Sequence, residues 1–141
     1  MSPRQKYLVR KSFAQLEGQG CVAALVLYRK LFEMDPSLRS LFKNDIEAQA
    51  EKLIEMLASL LAMLDRSDEL ESELLDMGQR HANYGVETWH YAIVGQALIG
   101  MLCETLLGEF TTEVREAWSC LYDSVACAML KGAEQGHGPE V

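Results

Sequence analysis

Apolar positions recur along the chain at three- and four-residue intervals almost throughout, the repeat of α-helices that each bury one stripe. Strand-like alternation is absent. Ser2, with Pro3 and Gln5 behind it, predicts a capping box and a proline-started first turn. The stripe that follows is Leu8, Val9, Phe13 and Leu16, and Gly18-Gln19-Gly20 ends it. A second helix is expected from about Cys21 to Met34, with Cys21, Leu25, Tyr28 and Phe32 on its stripe. Asp35-Pro36 opens a short turn that reaches Leu41-Phe42. Asn44-Asp45 then starts a long helix carrying Ile46, Gln49, Leu53, Met56, Leu57, Leu60, Leu61 and Leu64.

A polar stretch, Asp65 to Asp68, leads into a helix whose face holds Leu70, Leu74, Met77 and His81, closed by Gly85. The next is expected from about Glu87 to Leu107, with Ile93, Val94, Ala97, Leu98, Met101 and Thr105 inward, and Gly108 stops it. Thr111 caps the last, whose inner face is Val114, Trp118, Leu121, Tyr122, Val125 and Met129. The pattern predicts one all-α domain of about six main helices plus short turns over residues 1–132. Residues 133–141 read as a flexible polar tail.

A chain of 141 residues suits one domain with one substantial core. The net charge of -8 leaves too few basic residues to neutralise phosphates, which argues against nucleic acid and against an anionic membrane surface. No signal region follows Met1, and no apolar run is expected to be long enough to span a bilayer. The simplest address is the cytoplasm. Cys21, Cys103, Cys120 and Cys127 form no Cys-x-x-Cys pair and no metal-ligand spacing, and read as reduced thiols. Cys103, Cys120 and Cys127 fall off the inner stripes of the last two helices. Either they are exposed small residues, or those helices form a homodimer face.

Three stripes each carry one polar group: Tyr28, Gln49 and His81. Burying such a group without a partner costs about 1–3 kcal/mol. A lone histidine on a core stripe is more often satisfied by a backbone carbonyl than by a metal. Three polar groups together, however, point to a shared polar centre, and a ligand pocket is the natural candidate.

Leu41-Phe42 after a proline turn, Gly78-Gln79-Arg80-His81 before Tyr84-Gly85-Val86, the segment His90 to Gly95, and Phe110 to Glu113 leading to Ala117-Trp118 together resemble a globin. The nearest flavour is the bacterial single-domain globins, related to flavohaemoglobin globin domains and neuroglobin-like chains. The resemblance covers about residues 4 to 132. It implies haem b, with iron held by His81 as the proximal ligand. It also implies Phe42 stacked on the porphyrin, Leu53 limiting access to the sixth site, and Tyr84 and Val86 near the proximal haem edge. Tyr28 and Gln49 match the distal pair that donates hydrogen bonds to bound dioxygen. Tyr91 matches a tyrosine near the proximal histidine. Lys52 and Arg80 read as charges on solvated faces, with propionate pairing as the alternative.

Neither His90 nor His137 falls on the helix of Gln49, so a bis-histidine haem is not expected. The flavohaemoglobin pattern also has a glutamate near the end of the last helix. Here Ala133 matches it, with Glu134 one residue later and rotated by about 100°, so a strong electron push on His81 is not expected. No reductase domain is expected after residue 132, and no Gly-x-Gly-x-x-Gly fingerprint appears.

The expected function is reversible binding of dioxygen, carbon monoxide and nitric oxide. One alternative is a nitric oxide dioxygenase served by an external reductase; another is a haem-free helical signalling module of globin shape.

Overall fold

The computed structural model describes residues 1–42 and 45–136. Asn44, His137 and the end of the expected tail lie outside the described residues. Six α-helices follow one another: α1 (Pro3–Glu17), α2 (Gly20–Met34), α3 (Ile46–Ala62), α4 (Ser67–Asn83), α5 (His90–Leu106) and α6 (Thr112–Gly136). Two 3₁₀ turns, Pro36–Leu41 and Leu107–Glu109, make corners, and no strand occurs among the described residues.

Four of the starts are fixed by the expected side chains. Gln5 donates its backbone N–H to Ser2 Oγ at 3.1 Å, and Ser2 N donates to Gln5 Oε1 at 3.0 Å, completing the capping box. Asp35 Oδ1 accepts from Ser37 N at 3.0 Å, Asp45 Oδ1 accepts from Glu47 N at 3.1 Å, and Thr111 Oγ1 accepts from Val114 N at 3.2 Å. Gly85, at φ +96°, supplies the left-handed residue that turns the chain after α4.

The most extensive helix contact joins α4 to α6; α2 packs on α3 and α5, and α1 on α6. Two glycines allow the α4–α6 approach. A Cβ on Gly78 would overlap the Met129 carbonyl, and one on Gly132 would overlap the Leu75 carbonyl. The seats are reciprocal: Gly78 lies three residues after Leu75, and Gly132 three after Met129. Gly132 is therefore a contact and not a stop, and α6 runs on to Gly136, past the boundary expected at residue 132. At the other end of α6, buried Trp118 donates Nε1–H to Ser12 Oγ at 2.8 Å, and Ser12 Oγ donates to Leu8 O at 2.7 Å, tying α6 to α1.

Three expectations need correction. The buried face of α2 is Ala23, Ala24, Leu27, Tyr28 and Leu31, whereas Cys21 and Leu25 are exposed. Leu25 and the half-buried Phe32 line, together with Tyr28 and Ile46, a groove of about 410 Å³. The first half of α2 is apolar all round, so spacing alone did not single out the inner face. Second, α5 starts at His90 and ends one residue before Leu107, whose φ of 51° breaks the helix ahead of Gly108. Third, His90–Glu109 is long and apolar enough to cross a membrane, with mean hydropathy 1.5. Glu104 and Glu109 interrupt the run as it is read in sequence; in the fold α5 packs on α1, α2 and α6.

Candidate functional site

The apolar stripe of α3 is covered at only one end. Leu60, Leu61 and, just past the helix, Leu64 are buried, but Ile46, Gln49, Leu53, Met56 and Leu57 are half-buried. α3 packs on α1 and α2, while its contacts with α4 and α5 are sparse, as are those between α4 and α5. On α5, Ile93 and Val94 are likewise half-buried on the core side. The inner stripes of three helices are thus left half-covered, which marks the space among them as the candidate cleft.

His81 belongs to the last turn of α4, half-buried, with Nδ1 2.7 Å from the carbonyl of Met77. A carbonyl only accepts, so Nδ1 carries the proton and donates. Burial lowers the imidazole pKa below the usual 6.5; the Met77 carbonyl opposes this, and Arg80 adds to it. The ring is therefore neutral at pH 7, and Nε2 keeps its lone pair. The backbone around it is fixed by Val86 N donating to His81 O at 3.0 Å.

Tyr28 on α2 is buried, at 5% exposure, and burial raises its pKa above 10.0. The Gln49 side chain is near enough to the phenol to pull that value partly back, so the two polar groups predicted on separate stripes are brought together. Phe42, at the corner after the first 3₁₀ turn, packs edge-on to Tyr28 at 5.2 Å and to Phe32 at 5.6 Å between ring centroids. Leu53 lies one turn beyond Gln49 on α3, half-buried against the core.

Not every expected residue joins this group. Val86 is half-buried, but the ring of Tyr84 is 75% exposed and stands in solvent after α4. Lys52 is exposed, and Arg80 pairs with Glu73 at 3.6 Å. Tyr91 is half-buried beside Met77 and Leu74, and its carbonyl accepts from Tyr122 Oη at 2.6 Å. Glu134 is exposed on α6. Sequence reasoning set His90 at the start of its helix but gave it no role; it is buried, and its Nδ1 accepts from Glu87 N at 2.7 Å at the start of α5. Sequence reasoning missed the Met77 carbonyl, which has no side-chain signal, and the Gly78 seat, which a glycine three residues before His81 could have flagged.

Among the described residues no three His, Cys, Asp or Glu side chains converge as a metal cage.

Comparison with known proteins gives one consistent answer. A globin family model matches residues 25–129. The neuroglobin of Danio rerio is 31% identical over 146 aligned residues, covering 94% of this chain and 92% of that protein. A flavohemoprotein of Deinococcus radiodurans is 27% identical over 139 residues, covering 96% of this chain and 34% of its own length. Among solved structures, an engineered carbene transferase matches with a TM-score of 0.86 and 29% identity, covering 97% of this chain and 96% of that one. It derives from a Rhodothermus marinus protein provisionally described as a nitric oxide dioxygenase.

Proposed function

The chain belongs to the globin family, whose members hold haem b and bind diatomic gases, and from that premise we propose that His81 is the proximal iron ligand, with Tyr28 and Gln49 as the distal donors. The residues fit the group. A single neutral imidazole with a free Nε2, beside a cleft that three apolar stripes fail to close, suits an iron that brings four ligands of its own and a large apolar macrocycle. The bond from His81 Nδ1 to Met77 O orients the ring and fixes its tautomer. Phe42, locked by Tyr28 and Phe32, gives the macrocycle a rigid aromatic neighbour, and Leu53 and Val86 give it apolar walls.

Haem iron supplies a reversible sixth position for a diatomic gas. With haem in place, the Tyr28 hydroxyl and the Gln49 carboxamide would donate hydrogen bonds to a partly negative dioxygen in a desolvated site. The observation that carries this reading is a buried Tyr28, kept protonated by burial with Gln49 nearby, in a molecule where His81 keeps one nitrogen free. A hydrogen bond to a charged group contributes about 1.5–3 kcal/mol. Tyr28→Phe should therefore speed dioxygen release about 10- to 100-fold in stopped-flow measurements, and an unchanged rate would remove Tyr28 from the ligand site. His81→Gly should bind haem weakly and regain its absorption band with added imidazole.

A second reading is nitric oxide dioxygenation, favoured by the likeness to the Rhodothermus marinus protein and to the flavohemoprotein. Nitric oxide, dioxygen and one electron balance to nitrate, and a separate reductase would supply the electron. Catalytic nitric oxide loss with an added reductase, abolished in Tyr28→Phe, would favour it. One turnover and no more would favour gas binding alone.

A further inference from the structure

We propose, resting on the gas-binding reading of Tyr28 and Gln49, that diatomic gas enters and leaves through the groove between α2 and the start of α3. Its apolar walls are Leu25, Phe32 and Ile46, and its volume is about 410 Å³. Among its described lining residues only Tyr28 is buried, at 5% exposure, so the phenol ring forms the floor. Leu25, 36% exposed, stands at the mouth. On α2, Leu25 precedes Tyr28 by three residues; on α3, Ile46 precedes Gln49 by three. Residues at that interval are neighbours on one helix face. Both helices therefore step from the groove to the distal pair within a single turn. Gln49 is near enough to the phenol to lower its pKa, which sets it at the inner end of the same path.

The charged groups of the groove are engaged at its rim. Arg29 meets Glu33 at 3.8 Å and Glu104 at 2.9 Å, and the Arg39 guanidinium lies 5.2 Å from the centre of the Phe32 ring. None of the ion pairs found among the described residues joins α2 to α3. The two walls can therefore part without breaking a charge contact. A diatomic gas is small and nearly apolar, so it enters an apolar groove at little cost, whereas water or an ion must give up hydrogen bonds to follow. The rival approach, directly past Gln49, is flanked by the exposed charge of Lys52 one turn further along α3. The groove favours the gas over its polar competitors and delivers it to the hydrogen-bond donors last.

Carbon monoxide kinetics of the haem-loaded full chain test the route. A barrier on the path is crossed in both directions, so changing it scales binding and release by one factor and leaves affinity unchanged. Leu25→Trp should fill the mouth and lower both rate constants at least about fivefold in flash photolysis and ligand displacement. Leu25→Ala should widen it and raise both. Position 25 is off the buried face of α2, and circular dichroism checks that each variant folds. Xenon gives a readout that does not depend on the iron. In the carbon monoxide-bound protein it should shift the methyl resonances of Leu25 and Ile46, and Leu25→Trp should abolish the shift at Ile46. Rates indifferent to both substitutions would overturn the route, and so would a change in release alone that moves the affinity. An Ile46 methyl untouched by xenon would also overturn it. A wild type whose Soret band ignores carbon monoxide would instead overturn the gas-binding reading, and the route with it.

Discussion

A phenol at position 28 serves as a hydrogen-bond donor only while it keeps its proton. Burial raises Tyr28 above the ordinary 10.0 by more than the nearby Gln49 side chain lowers it. The protonated form is favoured in the folded state, so this contribution to stability is full below about pH 10 and is lost as pH rises through the raised value. The dioxygen release rate should accordingly stay flat from about pH 7 to 10; an acceleration centred below that range would contradict the assignment. For His81 the sign is opposite. Its folded pKa is depressed below 6.5 by burial, so the haem-free protein should lose stability as pH falls below 6.5 and through the depressed value. Acid unfolding compared with His81→Gln checks this, since the variant should lose that part of the pH slope. Tyr28, Gln49 and His81 were legible in sequence as polar residues on apolar stripes. The exposure of Tyr84 was not, because a residue just past a helix end has no stripe to assign it to.

Between helices, the decisive contacts are those where backbone or a single polar atom is at stake. Gly78 and Gly132 seat α4 against α6, and Gly78 lies within one turn of His81. Gly78→Ala should force the two helices apart, lower thermal stability by about 2 kcal/mol or more, and reduce haem occupancy measured by absorbance. A variant with wild-type stability would mean that the crossing is looser than described. Ser12→Ala strands the buried Trp118 N–H and should cost about 1–3 kcal/mol in denaturant unfolding. The companion Trp118→Phe/Ser12→Ala double variant should show less than the sum of the two single losses. Capping boxes and proline starts at the helix boundaries were readable because each has a short local cause. The use of Gly132 was not, since a stop and a close crossing ask for the same residue. The inner face of α2 was hidden for a different reason: too many of its sides are apolar.

For the whole molecule, the order of six helices followed from periodicity, but the cleft did not. Stripes that look equally apolar in sequence differ in whether a partner helix covers them, and α3 is left half-covered. Haem binding should therefore act on stability as well as on chemistry. At a hundredfold excess over Kd, ligand linkage contributes about 2.7 kcal/mol, and the Tm should rise by several degrees as haem is added. Amide exchange should slow most along the first half of α3. Protection gained only in α1 or at the start of α6 would place the ligand elsewhere.

The account depends most on His81 and the cleft beside it. An absorption spectrum of the haem-loaded protein, recorded oxidised, reduced, and reduced with carbon monoxide, tests it most directly, with His81→Gly measured in parallel. The expected result is a Soret band in the wild type that shifts at once with carbon monoxide, and a weak band in the variant until imidazole is added. A wild type with no Soret band, or a variant whose spectra match the wild type without imidazole, would contradict it.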